Sequence, residues 1–290
     1  MSVTVVAHSV CLPEDAPEAP RIPSDGAWFD VREHLGRRGY RQLPLPAQLA
    51  LAAVRRLSPP DGSTAESTAG DRLGLWLGSS TAASHCLADL DGRILSEGTE
   101  SLPPTGAPYF SVNLVPSRAA NDLGATGPSV TVTSTGTAVL DAIACARRAL
   151  ALGRVDEATV VAVEVPDGGQ SRGRPTECGA IALQLRTGGA GGHVRTASAF
   201  VAGDPASAAR LVRANLEPTA SVPVLVVEPG GSSSDGSGPL AGALRLVEAV
   251  RDGDDLAVVV ADPSGAATGV VVEHSPVSTH ESDPVRSMTP

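Results

Sequence analysis

Long apolar runs separated by polar, Gly-rich and Pro-rich segments dominate the chain. The runs at 3–11, 73–78 and 158–165 hold Val, Leu and Ala with little polar alternation, which is typical of strands buried on both faces of a sheet. Segments with apolar residues at helical spacing, such as 46–57 and 205–216, lie between such runs. The pattern therefore predicts an α/β protein in which strands and helices alternate.

This alternation occurs twice along the chain. The first series ends in a helix over 137–153 and strands over 158–165 and 178–186, and the second ends in a helix over 240–250 and strands over 255–261 and 268–273. We expect an internal duplication whose second copy is shortened. The predicted units are residues 1–187 and 188–274, and the Ser-, Pro- and Thr-rich residues 275–290 are expected to form a disordered tail.

The segment Gly127–Val165 organises the first half. It is predicted to form a buried strand, a small-residue turn over 133–138, a long helix and a second buried strand. That geometry would present the turn at the mouth of a pocket, where an active site or its remnant could lie. The hydroxyls of Thr135 and Thr137 at the start of the helix suit N-capping first and ligand binding second. Asp141, further along the helix, is a candidate base or a structural residue.

Composition excludes several kinds of chemistry. Hydrophobic residues make up 42% of the chain but aromatic residues only 2%, so the core must consist mostly of Ala, Val and Leu. The chain contains no lysine, which excludes a Schiff-base lysine and a P-loop lysine. No cofactor is expected.

The net charge of −10 argues against binding to nucleic acid phosphates or to an anionic membrane surface. An acidic carrier protein would also be repelled by the average charge, so its docking would require a local cluster of cations. Arg32, Arg37, Arg38 and Arg41 form one candidate cluster. A solvated surface face is an equally good interpretation of these four residues.

The four cysteines are widely spaced and have no CxxC or histidine-containing metal pattern. No metal site is predicted. We expect Cys145 and Cys178 to lie in the core, because free cysteine packs as a small hydrophobic residue. The N-terminus lacks the features of a leader and no apolar run approaches 18 residues, so a soluble, cytoplasmic protein is expected.

Three short motifs resemble one family. Residues 127–132 (GPSVTV), 140–142 (LDA) and 112–115 (VNLV) resemble the β-ketoacyl synthases of the thiolase superfamily, especially the ketosynthase and chain-length-factor pair of type II polyketide synthesis. The resemblance implies a thiolase-like α/β fold: a duplicated βαβαβαββ unit layered α-β-α-β-α, here with a shortened second half.

The positions that would carry the family's chemistry hold other residues. The resemblance implies that the nucleophilic cysteine would stand at Gly136 and the first catalytic histidine at Gly230. The loop 232–238, where a second histidine is expected, contains neither Lys nor His, and residues 264–267 (SGAA) replace a Gly-Phe-Gly-Gly turn. Loss of the nucleophile removes the covalent route, so we expect no condensing activity.

By resemblance, the chain is expected to be a non-condensing, chain-length-factor-like subunit that pairs with an active ketosynthase and shapes or stabilises its acyl tunnel. The interface strand would comprise Ser129, Val130, Thr131, Val132, Thr133 and Ser134. The residues facing the tunnel would be Phe110, Val112, Asn113 and Leu114. An acyl carrier protein is a possible second partner.

Two alternatives remain open. The chain could be an enzyme that reuses the eroded pocket for cyclisation, dehydration or acyl transfer on a carrier-bound polyketide, with Asp141, Thr135 and Thr137 as its candidate residues. It could also be a module that binds a small ligand or an acyl carrier protein. The shortening of the second half relative to known chain-length factors leaves room for an accessory or scaffolding role.

Overall fold

A computed structural model provides the structure of the protein. It describes residues 2–13, 26–37, 39–57, 70–81, 83–102, 108–109, 111–134, 136–165, 177–188, 191–218, 222–227 and 239–274, without the side chains of His85 and Pro239. The tail expected at 275–290 lies outside the described residues.

The described elements are nine strands and seven helices. The strands are β1 (Val3–Cys11), β2 (Leu73–Gly78), β3 (Ser129–Val132), β4 (Glu157–Glu164), β5 (Gly179–Thr187), β6 (Gly192–Phe200), β7 (Val224–Val227), β8 (Leu256–Ala261) and β9 (Ala266–Glu273). The helices are α1 (Val31–Leu35), α2 (Leu45–Arg55), α3 (Ser84–Glu97), α4 (Leu114–Leu123), α5 (Ala138–Ala151), α6 (Pro205–Leu216) and α7 (Pro239–Asp252).

The strands join in the order β3-β2-β4-β5-β1-β6-β9-β8-β7. Among the described strands, the two half-sheets are joined where Thr4 and Val5 of β1 pair with His193 and Gly192 of β6. The order β2-β4-β5-β1 in the first half is repeated as β7-β8-β9-β6 in the second. Within the described residues, no strand of the second half corresponds to β3. The duplication and the shortened second copy are therefore confirmed.

Five layers are formed by the helices and the two half-sheets. Helix α5 contacts β2 and β4 of the first half together with β6 and β9 of the second, and α7 contacts β8 and β5. These two helices therefore lie between the half-sheets. Helices α2 and α4 cover the outer face of the first half, and α6 covers that of the second. The predicted α-β-α-β-α layering is confirmed.

The central layer is held together by small and aliphatic side chains. On α5, Leu140, Ile143 and Leu150 are at most 2% exposed, and Ala142 and Ala146 are fully buried. Alanine at these positions allows a helix to approach both sheets closely, and each buried Leu or Ile contributes about 1.5–3 kcal/mol. The near-absence of aromatic residues is thus compatible with a dense core.

Strand β3 differs from the expectation of a buried strand. Among the described strands it pairs only with β2, in parallel, and the side chains of Ser129 and Val130 are exposed. The prediction failed because a short run of Val and Thr suits an edge strand as well as a central one. The second strand of this segment, β4, is buried along its whole length as expected.

Two local predictions also need correction. Cys145 is exposed, because it lies on the side of α5 that faces away from the sheets, whereas Cys178 is buried as expected. The pattern over 112–123 predicts a helix that begins at Val112 and is interrupted at Pro116, but α4 begins at Leu114. Pro116 therefore lies in the first helical turn, where no intrahelical hydrogen bond is lost.

Candidate functional site

The corner between β3 and α5 lies tightly against the end of β2. A Cβ atom added to Gly78 would lie 2.6 Å from the carbonyl oxygen of Ala138 and 2.7 Å from the Cα of Val139. Glycine at the end of β2 therefore permits the close approach of α5. Gly136 is buried in this corner, and the neighbouring candidate Thr135 lies outside the described residues.

A cluster of hydroxyl groups surrounds the carboxylate of Asp141. Ser134 and Thr137 donate to Asp141 Oδ2, with oxygen–oxygen distances of 2.8 Å and 2.7 Å. Thr268 on β9 donates to Asp141 Oδ1 at 2.5 Å. The oxygens of Thr268 and Ser198 on β6 are 3.1 Å apart. The candidates Thr137 and Asp141 are thus in contact with each other.

These contacts leave Asp141 few free lone pairs. A hydroxyl group has one proton, so Thr268 donates to Asp141 and accepts from Ser198. Three donors then occupy the two carboxylate oxygens, and Thr137 is itself 1% exposed. The Asp141 carboxylate therefore acts as a structural hydrogen-bond acceptor that joins the corner to the second half of the chain. Thr268 and Ser198 were not singled out from the sequence, because they are distant from Asp141 along the chain. Ser134, seven residues before Asp141, was named only as part of the interface strand.

No described cysteine provides a nucleophile at this corner. Gly136 occupies the position that the sequence assigned to the thiol, and Cys145 lies further along α5 on an exposed face. Burial raises the pKa of Cys11 to about 11 and also raises the pKa of Cys86. Both are therefore neutral thiols near pH 7. Gly230, assigned to the lost histidine, lies outside the described residues.

The turn at 264–267, which by resemblance would stand in the place of a Gly-Phe-Gly-Gly turn, uses two of its backbone donors internally. Ser264 N donates to Asp262 Oδ1, and Gly265 N donates to the Asp262 carbonyl oxygen, both at 2.8 Å. Gly265 has φ +97°, and a Cβ there would lie 1.8 Å from the carbonyl oxygen of Val201. Glycine is therefore required for this turn, and these two N–H groups are not available to an oxyanion.

The residues expected to face a tunnel are divided between two environments. Val112 and Leu114 line a mainly apolar cavity between α2, β2, α3 and α4. Its volume of about 10 Å³ accommodates roughly one water molecule and no acyl chain. Asn113 instead bonds to β3, where Thr131 Oγ1 donates to Asn113 Oδ1 at 3.1 Å. Phe110 lies outside the described residues.

One arginine of the predicted cluster, Arg41, lies between two residues, Tyr40 and Gln42, that line an open groove. Arg32, Arg37 and Arg41 are exposed, and Arg38 lies outside the described residues. A groove of about 360 Å³ is lined by residues that include Tyr40 and Tyr109, together with Arg118 and Asp122. Arg55 forms an ion pair with Asp122 at 2.6 Å and stacks over the ring of Tyr40.

A pair of buried carboxylates near the corner was also missed from the sequence. Glu164 follows an all-apolar stretch of β4, and Glu177 precedes β5; they are 2% and 6% exposed. A glutamate at the end of a fully buried strand is a signal that could have been used.

Among the described residues, no group of three His, Cys, Asp or Glu side chains could hold a metal ion. No described helix is long and apolar enough to cross a membrane.

The five-layered fold and the β3–α5 corner define a thiolase-like protein of the ketosynthase type. The family model described as "Beta-ketoacyl synthase, N-terminal domain" matches residues 33–211, which is more than half of the chain. The chain therefore belongs to the β-ketoacyl synthase family, as the sequence motifs indicated.

Individual relatives are distant. The chain is 24% identical over 112 residues to 3-oxoacyl-[acyl-carrier-protein] synthase 2 of Staphylococcus aureus; this covers 38% of the chain and 28% of the relative. The match thus spans little more than a quarter of the curated relative's length.

Solved structures cover nearly the whole chain. The ishigamide ketosynthase/chain length factor aligns over 95% of this chain and 100% of its own, with a TM-score of 0.72 and 18% identity. A ketosynthase complex described as "AntDE:AntF", which contains a type II polyketide acyl carrier protein, aligns over 94% and 99% of the two chains, with a TM-score of 0.74 and 13% identity. At these identities the likeness establishes the fold alone.

Proposed function

We propose that this chain is a non-condensing, chain-length-factor-like accessory subunit that pairs with an active ketosynthase in polyketide or fatty-acyl synthesis, in the cytoplasm. The observation that carries the proposal is the corner itself. Its strand, turn and helix are kept and tied to the second half by Asp141, while Gly136 stands where a thiol would be required. A corner preserved without its nucleophile is better explained by association than by catalysis.

The open edge of β3 supports pairing through Ser129–Ser134. Leu75 N donates to the Pro128 carbonyl oxygen and Ser79 N to that of Val132, so even-numbered positions face β2. In a strand, backbone groups alternate in direction, and those of Ser129 and Thr131 therefore point away from the sheet. An unpaired edge of this kind is a ready site for a second strand.

Exposed apolar side chains, two of them at this edge and two on α3, support the same assignment. Val130 on β3 is 37% exposed and Val112, which contacts β3 through its carbonyl oxygen, is 43% exposed. Helix α3 carries Leu87 and Leu95 at 44% and 87% exposure, and its largest set of contacts is with the short turn that follows it. These side chains would be covered by a partner subunit.

The size of the cavity at Val112 and Leu114 limits how this chain could take part in an acyl tunnel. It is too small for an acyl chain in the single subunit, so we infer that this chain contributes a wall of the partner's tunnel. Val112 and Leu114, together with Phe110 and Asn113 from the predicted set, would form that wall.

An acyl carrier protein is the second partner that we propose. The groove at Tyr40, Tyr109 and Arg118, next to the exposed Arg41, presents cations on a chain whose net charge is −10. Acidic surfaces are attracted to such a local patch even when the average charge is unfavourable.

The alternative enzyme that would use Asp141, Thr135 and Thr137 is less well supported. The oxygens of Asp141 already accept three hydrogen bonds, and a general base must be free to accept a substrate proton.

Co-purification from the native host tests the proposal. We expect the affinity-tagged chain to bring down, in stoichiometric amount, a ketosynthase with an intact active-site cysteine, and deletion of the chain to change the length or yield of that enzyme's product. A monomer whose deletion leaves every acyl product unchanged would disprove the accessory role.

A further inference from the structure

The two buried glutamates hold together parts of the chain that are far apart in sequence. Ser80 N and Ser80 Oγ donate to the two oxygens of Glu164 at 2.5 Å and 2.8 Å, and Thr81 Oγ1 donates to Oε2 at 3.0 Å. Glu164 therefore fixes the turn that follows β2. This turn lies next to the cavity wall formed by Ser79.

Glu177 fixes the start of α7. Leu240 N donates to Glu177 Oε2 at 2.6 Å, in the first turn of the helix, where backbone N–H groups have no intrahelical acceptor. Helix α7 belongs to the second half of the chain, whereas Glu177 belongs to the first. This hydrogen bond is therefore a tie between the two halves.

The two carboxylates are neighbours. Glu164 pairs with Gly179 across β4 and β5, two residues beyond Glu177, and the charge of Glu164 acts directly on Glu177. Within the described residues, neither glutamate forms an ion pair with an arginine or a histidine. Two adjacent negative charges are costly in a buried environment.

The surrounding elements carry other charged or titratable groups, which within the described residues are His8 and Cys11 on β1, Arg55 on α2, Asp141, Cys145, Arg147 and Arg148 on α5, Glu157 on β4, Cys178 and Arg186 before and on β5, Arg245, Glu248, Arg251 and Asp252 on α7, Asp262 after β8, and Glu273 on β9. Arg245 and Glu248 pair with each other, and Asp141 is occupied by hydroxyl groups. The turn after β2 offers only the uncharged Ser80 and Thr81.

We propose that Glu164 and Glu177 act together as a proton-dependent latch that fastens the start of α7 to the first half of the chain. With a proton on the pair, the carboxyl groups bind the β2 turn and α7 without mutual repulsion. When both are ionised, repulsion loosens the tie at Leu240. The latch does not depend on the proposed accessory function.

The pH range follows from the two pKa values. Burial raises the pKa of Glu164 to about 7, and burial together with the charge of Glu164 raises the pKa of Glu177 to about 8. Both values lie above the ordinary value of 4.5, so the folded state binds these protons more tightly than the unfolded state. The resulting stability is full below about pH 4.5 and is lost progressively as the pH rises to about 8.

Amide hydrogen exchange of the full-length chain, compared at pH 6.0 and pH 8.5 after correction for the intrinsic exchange rate, tests the latch. We expect protection over residues 240–246 to fall by about tenfold or more, since one pKa unit corresponds to a factor of ten. Residues 143–150 of α5 should change less. Glu177→Gln, which keeps an acceptor for Leu240 N but carries no charge, should remove most of the difference.

Two controls make the result decisive. Glu97→Gln removes one exposed carboxylate on α3 and should leave the pH difference unchanged. Carboxyl ¹³C titration of the wild-type chain needs no variant and should reveal two glutamates that titrate near pH 7–8. The latch is disproved if protection at α7 is the same at both pH values, if Glu177→Gln retains the full difference, or if every glutamate titrates below pH 6.

Discussion

Thr268 donates a hydrogen bond to Asp141 across the two halves of the chain, with 2.5 Å between Oγ1 and Oδ1. The two residues are 127 positions apart. Thr268 lies on β9 and Asp141 in the first turn of α5, so this contact connects the corner to the second half-sheet. We regard Asp141 as a structural centre of the molecule and not as a catalytic base.

Loss of this contact should destabilise the fold. Thr268→Val removes the hydroxyl and keeps the shape of the side chain; we expect a decrease of about 1–3 kcal/mol in the free energy of unfolding, the usual cost of losing a buried hydrogen bond to a charged group. Asp141→Asn should cost a similar amount, and the double variant should cost less than the sum, because the residues are coupled. Urea unfolding measures all three.

Thr196→Val on β6 is the matched control. Thr196 is half-buried on the strand that pairs with β9, and its replacement should change the free energy of unfolding by well under the cost of Thr268→Val. Strict additivity of Thr268→Val and Asp141→Asn would contradict the structural role assigned to the contact.

Patterns along the sequence predicted the strands and helices well where the strand or helix buries one or both of its faces. The bounds of β1, β2 and α6 were predicted as they are found, because long apolar runs and a helix-starting proline are local signals. The exposed position of β3 was not predicted, since its edge location depends on which strands lie beside it.

The site was predicted less completely. Gly136 and Asp141 were identified because they lie within one motif. Thr268 and Ser198, which complete the cluster, are brought to Asp141 by the sheet. Contacts of this kind depend on tertiary packing, and no local spacing in the sequence signals them.

The open edge of β3 gives a second prediction. Thr131→Pro removes the outward-facing N–H without breaking a hydrogen bond to β2, so we expect the chain to fold but to lose at least about tenfold in affinity for its ketosynthase, as a lost β-ladder donor implies. Thr131→Val loses the same side-chain hydroxyl and keeps the N–H, and it should bind almost normally. Equal binding by both variants in sedimentation or interferometry would exclude pairing through this edge.

Introduction of a thiol at the corner should not create a condensing enzyme. Gly136→Cys supplies the missing nucleophile, but Ser264 N and Gly265 N remain bonded within their own turn, and an oxyanion would have no donors from them. We expect no condensation product above the wild-type background in an assay with acyl and malonyl carrier protein. Product formation by Gly136→Cys would mean that the corner retains a working site.

Thiol labelling checks the placement of the described cysteines. Cys145 is exposed, whereas Cys11 and Cys178 are fully buried, so a maleimide should modify Cys145 first in the native protein. Cys145→Ser should remove the rapid phase, and unfolding should expose the remaining thiols. A rapid phase that survives in Cys145→Ser would contradict the assigned orientation of α5.

Charge reversal tests the carrier-docking surface. Arg41→Glu with Arg118→Glu replaces two cations at the groove by two anions, and we expect binding of an acyl carrier protein to weaken by at least about tenfold, mainly through slower association. Wild-type binding should also weaken as salt rises, because exposed charges are screened. Arg210→Glu with Arg213→Glu makes the same change of charge on the exposed face of α6 in the second half. Equal weakening by both pairs would indicate a general effect of net charge and would remove the case for docking at Tyr40 and Tyr109.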